Sequence, residues 1–158
     1  MQYDLVLVPE SQKPSFWQLF QGYLAELGAF TGKPPINGEY DYRHFDNYWQ
    51  EPNDRWPYYL KDEEGTVCSL AMVRRYEDTV YEVAEFYVLP KWRGKGLGRC
   101  MLEKIMKRHQ GSWRLEVLEN HMEAQKFWSK VFGNHPACQV RQVVINNLPR
   151  IEFSIKAP

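Results

Sequence analysis

The sequence predicts an α/β fold of the α+β type: a single mixed, mostly antiparallel sheet of about six or seven strands, flanked by about four helices. Three observations carry this. Between Trp56 and Leu89, three strand-like runs are separated only by short polar turns, the pattern of an antiparallel meander. Downstream of Pro90 the apolar residues switch to helical spacing, and strands and helices then alternate. The 158 residues are about one ordinary domain, and no repeat, low-complexity run or linker divides them, so 1–158 reads as a single domain.

Taken in order, Tyr3–Val8 is aliphatic and β-branched until Pro9 stops it, and reads as a first strand. From Pro14 to Phe30, Phe16, Leu19, Phe20, Tyr23, Leu24 and Leu27 recur at intervals of three or four, the period of an amphipathic helix. Residues 31–55 carry Gly32, Pro34, Pro35, Gly38 and Pro52 and read as a long, partly irregular connection with helical pieces allowed. Its aromatic patch (Tyr40, Tyr42, Phe45, Tyr48, Trp49) fits either a binding surface or a cap on the core. The meander follows as Trp56–Lys61, Thr66–Tyr76 and Val80–Leu89. After it come a helix starting near Leu97, a strand at Trp113–Leu118, a helix at Met122–Phe132, and strands at Val140–Ile145 and Arg150–Ile155. Asn146-Asn147 between the last two strands tolerates left-handed backbone, as a tight turn requires.

Composition removes several function classes. At 44% hydrophobic and 25% charged the chain is not a disordered tail. No apolar run approaches the roughly 20 residues of a membrane helix, and Met1-Gln2-Tyr3-Asp4 is not a secretory leader. Cys68, Cys100 and Cys138 are too dispersed for a disulfide framework or a structural zinc site, so the cytoplasm is the expected compartment. His44, His109, His121 and His135 show no ligand spacing, so no metal is expected and each reads as a surface or capping residue.

Charge is balanced, 20 basic against 20 acidic residues, which argues against a nucleic-acid partner. The balance conceals segregation. Lys91, Arg93, Lys95, Arg99, Lys104, Lys107 and Arg108 stand against the single acid Glu103. Eight acids between Glu39 and Glu64 stand against Arg43, Arg55 and Lys61. The basic stretch suits an anion and the acidic one a cation, and each also fits a solvated surface.

Gly94, Gly96 and Gly98 follow the end of the 80–89 strand and open the next helix. Such glycines let successive backbone N–H groups converge into an anion nest, to which the helix N-terminus adds further donors. Arg93, Lys95 and Arg99 add full charge, so this segment predicts a phosphate or pyrophosphate site. It is not a Rossmann fingerprint, because Arg99 stands where the third glycine belongs, and no Gly-Lys-Ser/Thr completes a Walker A loop.

Arg93-x-x-Gly96-x-Gly98 after a meander strand resembles the GNAT superfamily of N-acetyltransferases, whose signature is Arg/Gln-x-x-Gly-x-Gly/Ala. Asn120, Ala124, Phe127-Trp128 and Lys130 resemble that family's run in the helix after the next strand, and the element order is similar over nearly the whole chain. The resemblance implies acetyl-CoA as the acyl donor. It implies that the Val88 backbone bonds the pantetheine arm, that the segment Arg93, Gly94, Lys95, Gly96, Leu97, Gly98 and Arg99 wraps the pyrophosphate, and that Asn120, Phe127, Trp128 and Lys130 complete the cofactor site. Other readings stand beside these. Asn120 with Glu123 forms a capping-box pattern, Phe127 and Trp128 fit a packed core, and Lys130 fits a solvated lysine.

Glu85 is the candidate general base. It shares a strand face with Val83, Tyr87 and Leu89, where burial would raise its pKa, whereas Glu82 falls on the opposite face and reads as structural. Where the family most often has a tyrosine as general acid this chain has Trp128, whose indole cannot serve. Tyr87, a loop tyrosine or water must substitute, or the step needs no side-chain acid. Cys100, just inside a helix start, fits either a lowered thiol pKa or a packed small side chain.

The expected activity is acetyl transfer to the primary amine of a small molecule or exposed peptide, with a cationic acceptor suggested by the acidic, aromatic 39–64 stretch. The alternative is an acyl-CoA-binding sensor or interaction module without catalysis. Monomer and homodimer are both open.

Overall fold

In the computed structural model, which describes residues 2–158, seven runs of alternating or aliphatic residues become strands. They are β1 (Asp4–Leu7), β2 (Arg55–Lys61), β3 (Val67–Glu77), β4 (Val80–Val88), β5 (Ser112–Leu118), β6 (Cys138–Ile145) and β7 (Leu148–Ile155). Four helices accompany them: α1 (Lys13–Thr31), α2 (Asn47–Gln50), α3 (Leu97–Arg108) and α4 (Met122–Val131). The strands are hydrogen-bonded in the order β1-β2-β3-β4-β5-β7-β6, the mixed α/β architecture the sequence predicts. Met1, part of the leader reading, lies outside the described residues.

Antiparallel pairing dominates. β1 pairs antiparallel with β2, and β7 with both β5 and β6. The two residues between β3 and β4 permit only a hairpin, since a parallel return needs a crossover of a dozen or more residues. Such a crossover joins β4 to β5: α3 lies between them, and they pair in parallel from Val80↔Ser112 to Glu82↔Arg114. Asn146 and Asn147 close the β6–β7 hairpin with φ of 54° and 64°, the two left-handed residues such a turn demands.

The chain divides into two compact units, one of residues up to Val73 with Glu85–Arg108, the other of Arg74–Ala84 with His109–Pro158. In the first, one stripe of α1 buries Phe16, Phe20 and Leu24 against Val8, Tyr59, Leu70, Met72 and Tyr87. The 31–55 connection is irregular apart from α2 and an isolated bridge between Ile36 and Glu39. Its aromatics divide: Phe45 and Tyr48 join this core, while Tyr40, Tyr42 and Trp49 pack partly buried against it.

The second unit buries Trp113, Leu115, Val117, Phe153 and Ile155 from the strands, with Trp128 and Phe132 from the α4 region. His109 is also buried, at 8% exposure, which corrects its reading as a surface or capping residue. Its backbone carbonyl accepts from Trp113 Nε1 at 3.0 Å, and its ring lies against Tyr81 and Trp113. The flat imidazole packs tilted to Tyr81 and edge-on to Trp113, which lets a polar side chain sit among aromatic rings.

Candidate functional site

Alternation along β4 places Glu85 and Tyr87 on one face, and α1 lines that face. Tyr23 Oη donates to Glu85 Oε1 at 2.5 Å, and Tyr42 Oη, from the irregular connection, donates to Glu85 Oε2 at 2.8 Å. Both oxygens of this partly buried carboxylate therefore accept a phenol proton. Two such donors stabilise the ionised form. Burial pushes the Tyr23 phenol well above its usual range, and the Glu85 charge and hydrogen bond push it further. Tyr42 is raised for the same reasons, burial first. Both tyrosines thus remain donors at any working pH.

Next along the strand, Tyr87 Oη donates to Glu26 Oε2 at 3.0 Å. Burial, then the Glu26 hydrogen bond and charge, raise its pKa to about 12 against the opposing pull of Arg93. The phenol fits because α1 carries no side chain at Gly22, where a Cβ would stand 3.0 Å from Tyr87 Oη.

The anion loop begins with a 3-10 turn, Pro90–Trp92. Gly94 and Gly96 take φ of +77° and +75°, a conformation that side chains with a Cβ rarely adopt. α3 then starts at Leu97, the predicted start. Leu97 and Gly98 are buried and anchor the helix, whereas Gly94, Lys95, Gly96 and Arg99 are exposed. Lys95 Nζ lies 4.9 Å from the centre of the Trp92 ring. Arg93, expected at the pyrophosphate, here donates from Nε to the Val88 carbonyl at 2.9 Å and from Nη2 to both Glu26 oxygens at 2.9 and 3.1 Å. Its guanidinium also covers the Tyr87 ring at 5.5 Å. Val88, expected to serve the pantetheine arm, thus already accepts one side-chain hydrogen bond. Cys100 is half-buried in the first turn of α3.

The remaining predicted residues lie in the second unit. α4 is capped by His121, whose Nδ1 accepts from Ala124 N at 3.4 Å. Asn120 lies one residue outside the helix, so the capping-box reading of Asn120 with Glu123 is corrected, and His121 is a cap as the sequence suggested. Trp128 is buried and meets Phe127 and Phe132 edge-on. Lys130 is exposed in the last turn, where positive charge suits the helix dipole. Glu82, read as structural, is buried between Arg74, 2.5 Å away, and Arg114. Arg114 also pairs with Glu116 and Glu152, each at 2.7 Å, and Arg141 reaches Glu152 at 2.6 Å.

Three functional candidates escaped the sequence reading. Tyr23 was hidden in the apolar stripe of α1, Tyr42 in an aromatic patch, and Glu26 carried no signal, being one exposed acid on a helix. The acidic 39–64 stretch is partly neutralised: Asp41 pairs with Lys33, Asp46 with Lys13 and Glu51 with Arg55. Among the described residues no group of three or more His, Cys, Asp or Glu could hold a metal ion, and no helix is long and apolar enough to cross a membrane.

Comparison with known proteins decides the family. The acetyltransferase (GNAT) family pattern matches residues 17–133, about three quarters of the chain. The chain belongs to the GNAT family. It is an N-acetyltransferase whose acyl donor is acetyl-CoA. No curated protein sequence matches it. The solved structures it resembles include spermidine N-acetyltransferase from Vibrio cholerae in complex with CoA and spermine, at 15% identity and TM-score 0.69, over 98% of this chain and 95% of that one. An acetyltransferase from Thermus thermophilus aligns at 15% identity and TM-score 0.71, over 99% and 98%. A GNAT-family acetyltransferase from Staphylococcus aureus aligns at 11% identity and TM-score 0.68, over 98% and 99%. At these identities the likeness is one of fold.

The loop residues present fit the coenzyme's diphosphate. Gly94 and Gly96 are left-handed with nothing within 4 Å of a Cβ position, so backbone is open to an anion there. The N-terminus of α3, with its positive dipole end, follows directly.

Proposed function

We propose that this acetyltransferase transfers acetyl directly to the primary amine of a small cationic molecule or an exposed peptide amine. The observation that carries this is the Glu85 carboxylate accepting hydrogen bonds from two phenols in an aromatic setting, chemistry suited to an ammonium group. A fold shared with a protein described as a spermidine N-acetyltransferase supports a cationic acceptor.

In this reading the backbone of 94–98, with Lys95 and Arg99, holds the diphosphate, and the Val88 backbone serves the pantetheine arm. Bound acetyl-CoA supplies the thioester. Glu85 takes one proton from the acceptor ammonium, which gives the neutral amine its nucleophilic lone pair. Tyr87, with a phenol pKa of about 12, is a weaker acid than a thiol at about 8.5. To serve the departing sulfur, its one hydroxyl proton turns away from Glu26, and solvent completes the protonation.

The test is thiol release from acetyl-CoA over a panel of diamines, monoamines and aromatic amines that are neutral at pH 7, with Glu85→Gln alongside. Cationic amines should lead, and Glu85→Gln should lower kcat/KM by about 10²–10⁴. Equal use of charged and neutral amines would remove the cationic preference. Coenzyme binding with no turnover on any amine would favour a non-catalytic acyl-CoA sensor instead.

A further inference from the structure

Glu85 does not stand alone on its strand. Its two oxygens are engaged from two separate chain segments: Tyr23 belongs to α1, and Tyr42 to the connection after it. A carboxylate with one donor can swing about its terminal torsion, whereas one held at both oxygens has its plane fixed. The two phenols are themselves fixed by a shared neighbour. Tyr23 stacks on Phe20 with ring centres 5.5 Å apart, and Tyr42 meets the same Phe20 edge-on at 5.0 Å. Phe20 is fully buried, so the pair is anchored in the core of its unit.

We propose that Tyr23 and Tyr42 are positioning residues for the reaction: together they fix the plane of the Glu85 carboxylate and keep it ionised, so that it is ready to take the acceptor's proton. This rests on the reading of Glu85 as the base. It assigns a task to the irregular 31–55 segment, which delivers one of the two phenols. Tyr23 from α1 and Tyr42 from the connection donate to Glu85; Tyr87 follows on the same strand face, with Glu26 and Arg93 on its far side, and Tyr48 from α2 acts on Tyr42. Glu26 is ion-paired to Arg93, which offsets its charge, and the two phenols donate directly to Glu85.

The sign follows from the hydrogen bonds. A donor to the charged form favours ionisation, so removing it moves the carboxyl's titration to higher pH. In Tyr23→Phe and in Tyr42→Phe, the acid limb of the kcat/KM profile should move up by about one pH unit each, with the alkaline limb unchanged. The rate at the plateau should fall less than it does in Glu85→Gln. Tyr59→Phe, which removes a core hydroxyl lying 3.4 Å from Ser15 Oγ, should leave the limb in place.

If Glu85→Gln slows turnover while both tyrosine variants keep the wild-type limb, the positioning role is wrong and the base assignment survives. A uniform loss of rate at every pH, without a shifted limb, overturns it in the same way, because that is what a merely structural role would produce. If Glu85→Gln turns over normally, both readings fall together. The two tyrosines lie on different elements, so a folding failure in one variant leaves the other to decide.

Discussion

Replacing Gly96 with alanine tests whether backbone shape, rather than charge, makes the anion loop. Gly96 has φ +75°, and a Cβ there would meet nothing within 4 Å. Steric clash with neighbouring side chains is therefore absent, and the whole cost is conformational, about 1–2 kcal/mol for a left-handed residue bearing a Cβ. The protein can meet that cost in two ways. If the loop keeps its shape, the fold carries the strain. With an unfolding entropy of about 2.1 cal/mol/K per residue over 158 residues, Tm should fall by about 3–6 °C. If the residue instead leaves the left-handed region, the loop N–H groups turn away, and CoA affinity should fall by about 5–30-fold, the same free energy expressed in binding. Thermal melts and calorimetric titration with CoA measure both. Gly65→Ala is the matched control, because Gly65 has φ +82° with the same open space but sits in the Asp62–Thr66 turn. It should lower Tm without touching CoA binding. Gly96→Asn should recover part of either loss, since this chain already holds Asn37, Asn146 and Asn147 at φ of 52°, 54° and 64°. The reasoning is refuted if Gly96→Ala leaves both Tm and affinity unchanged, or if Gly65→Ala weakens CoA as much.

Glu26→Gln should release the Arg93 guanidinium from its clasp. The pair is half-exposed, worth about 0.2–1 kcal/mol, so stability should hardly change, while CoA binding tightens by up to about fivefold; unchanged or weaker binding in a titration would mean that Arg93 does not reach the diphosphate. Burial by itself would raise the Glu152 carboxyl, but Arg141 and Arg114 outweigh it and hold it below its usual value. A carboxyl lowered in the fold stabilises above its unfolded value of about 4.3, and that stability is lost as pH falls through the folded value. Glu152→Gln should therefore be less stable than wild type at pH 7 and lose less on acidification, as read from urea midpoints stepped down to pH 3; parallel curves would contradict the ion network's role.

Local pattern was enough for most of the fold. Two-residue alternation and short polar turns specify β2 to β4, and two adjacent asparagines specify the β6–β7 turn, because each is a property of a few neighbouring residues. The left-handed loop was legible for the same reason: Gly94 and Gly96 just ahead of α3 allow a backbone shape that depends on few neighbours, while Gly98 joins the helix. Glu85 was singled out by its place on a strand face, yet what surrounds it could not be. Tyr23 and Tyr42 are separated from Glu85 by 62 and 43 residues, and each looked like one more apolar position in its own segment. Glu26 acquires a role only when α1 lies along β4 and brings it to Tyr87 and Arg93. His109 looked polar until two aromatic rings closed over it. The sequence by itself determined which segments are helix, strand and left-handed glycine loop, since periodicity and glycine geometry are local. Only the tertiary structure decided which carboxylate meets which phenol, because hydrogen bonds between distant residues depend on how the elements pack.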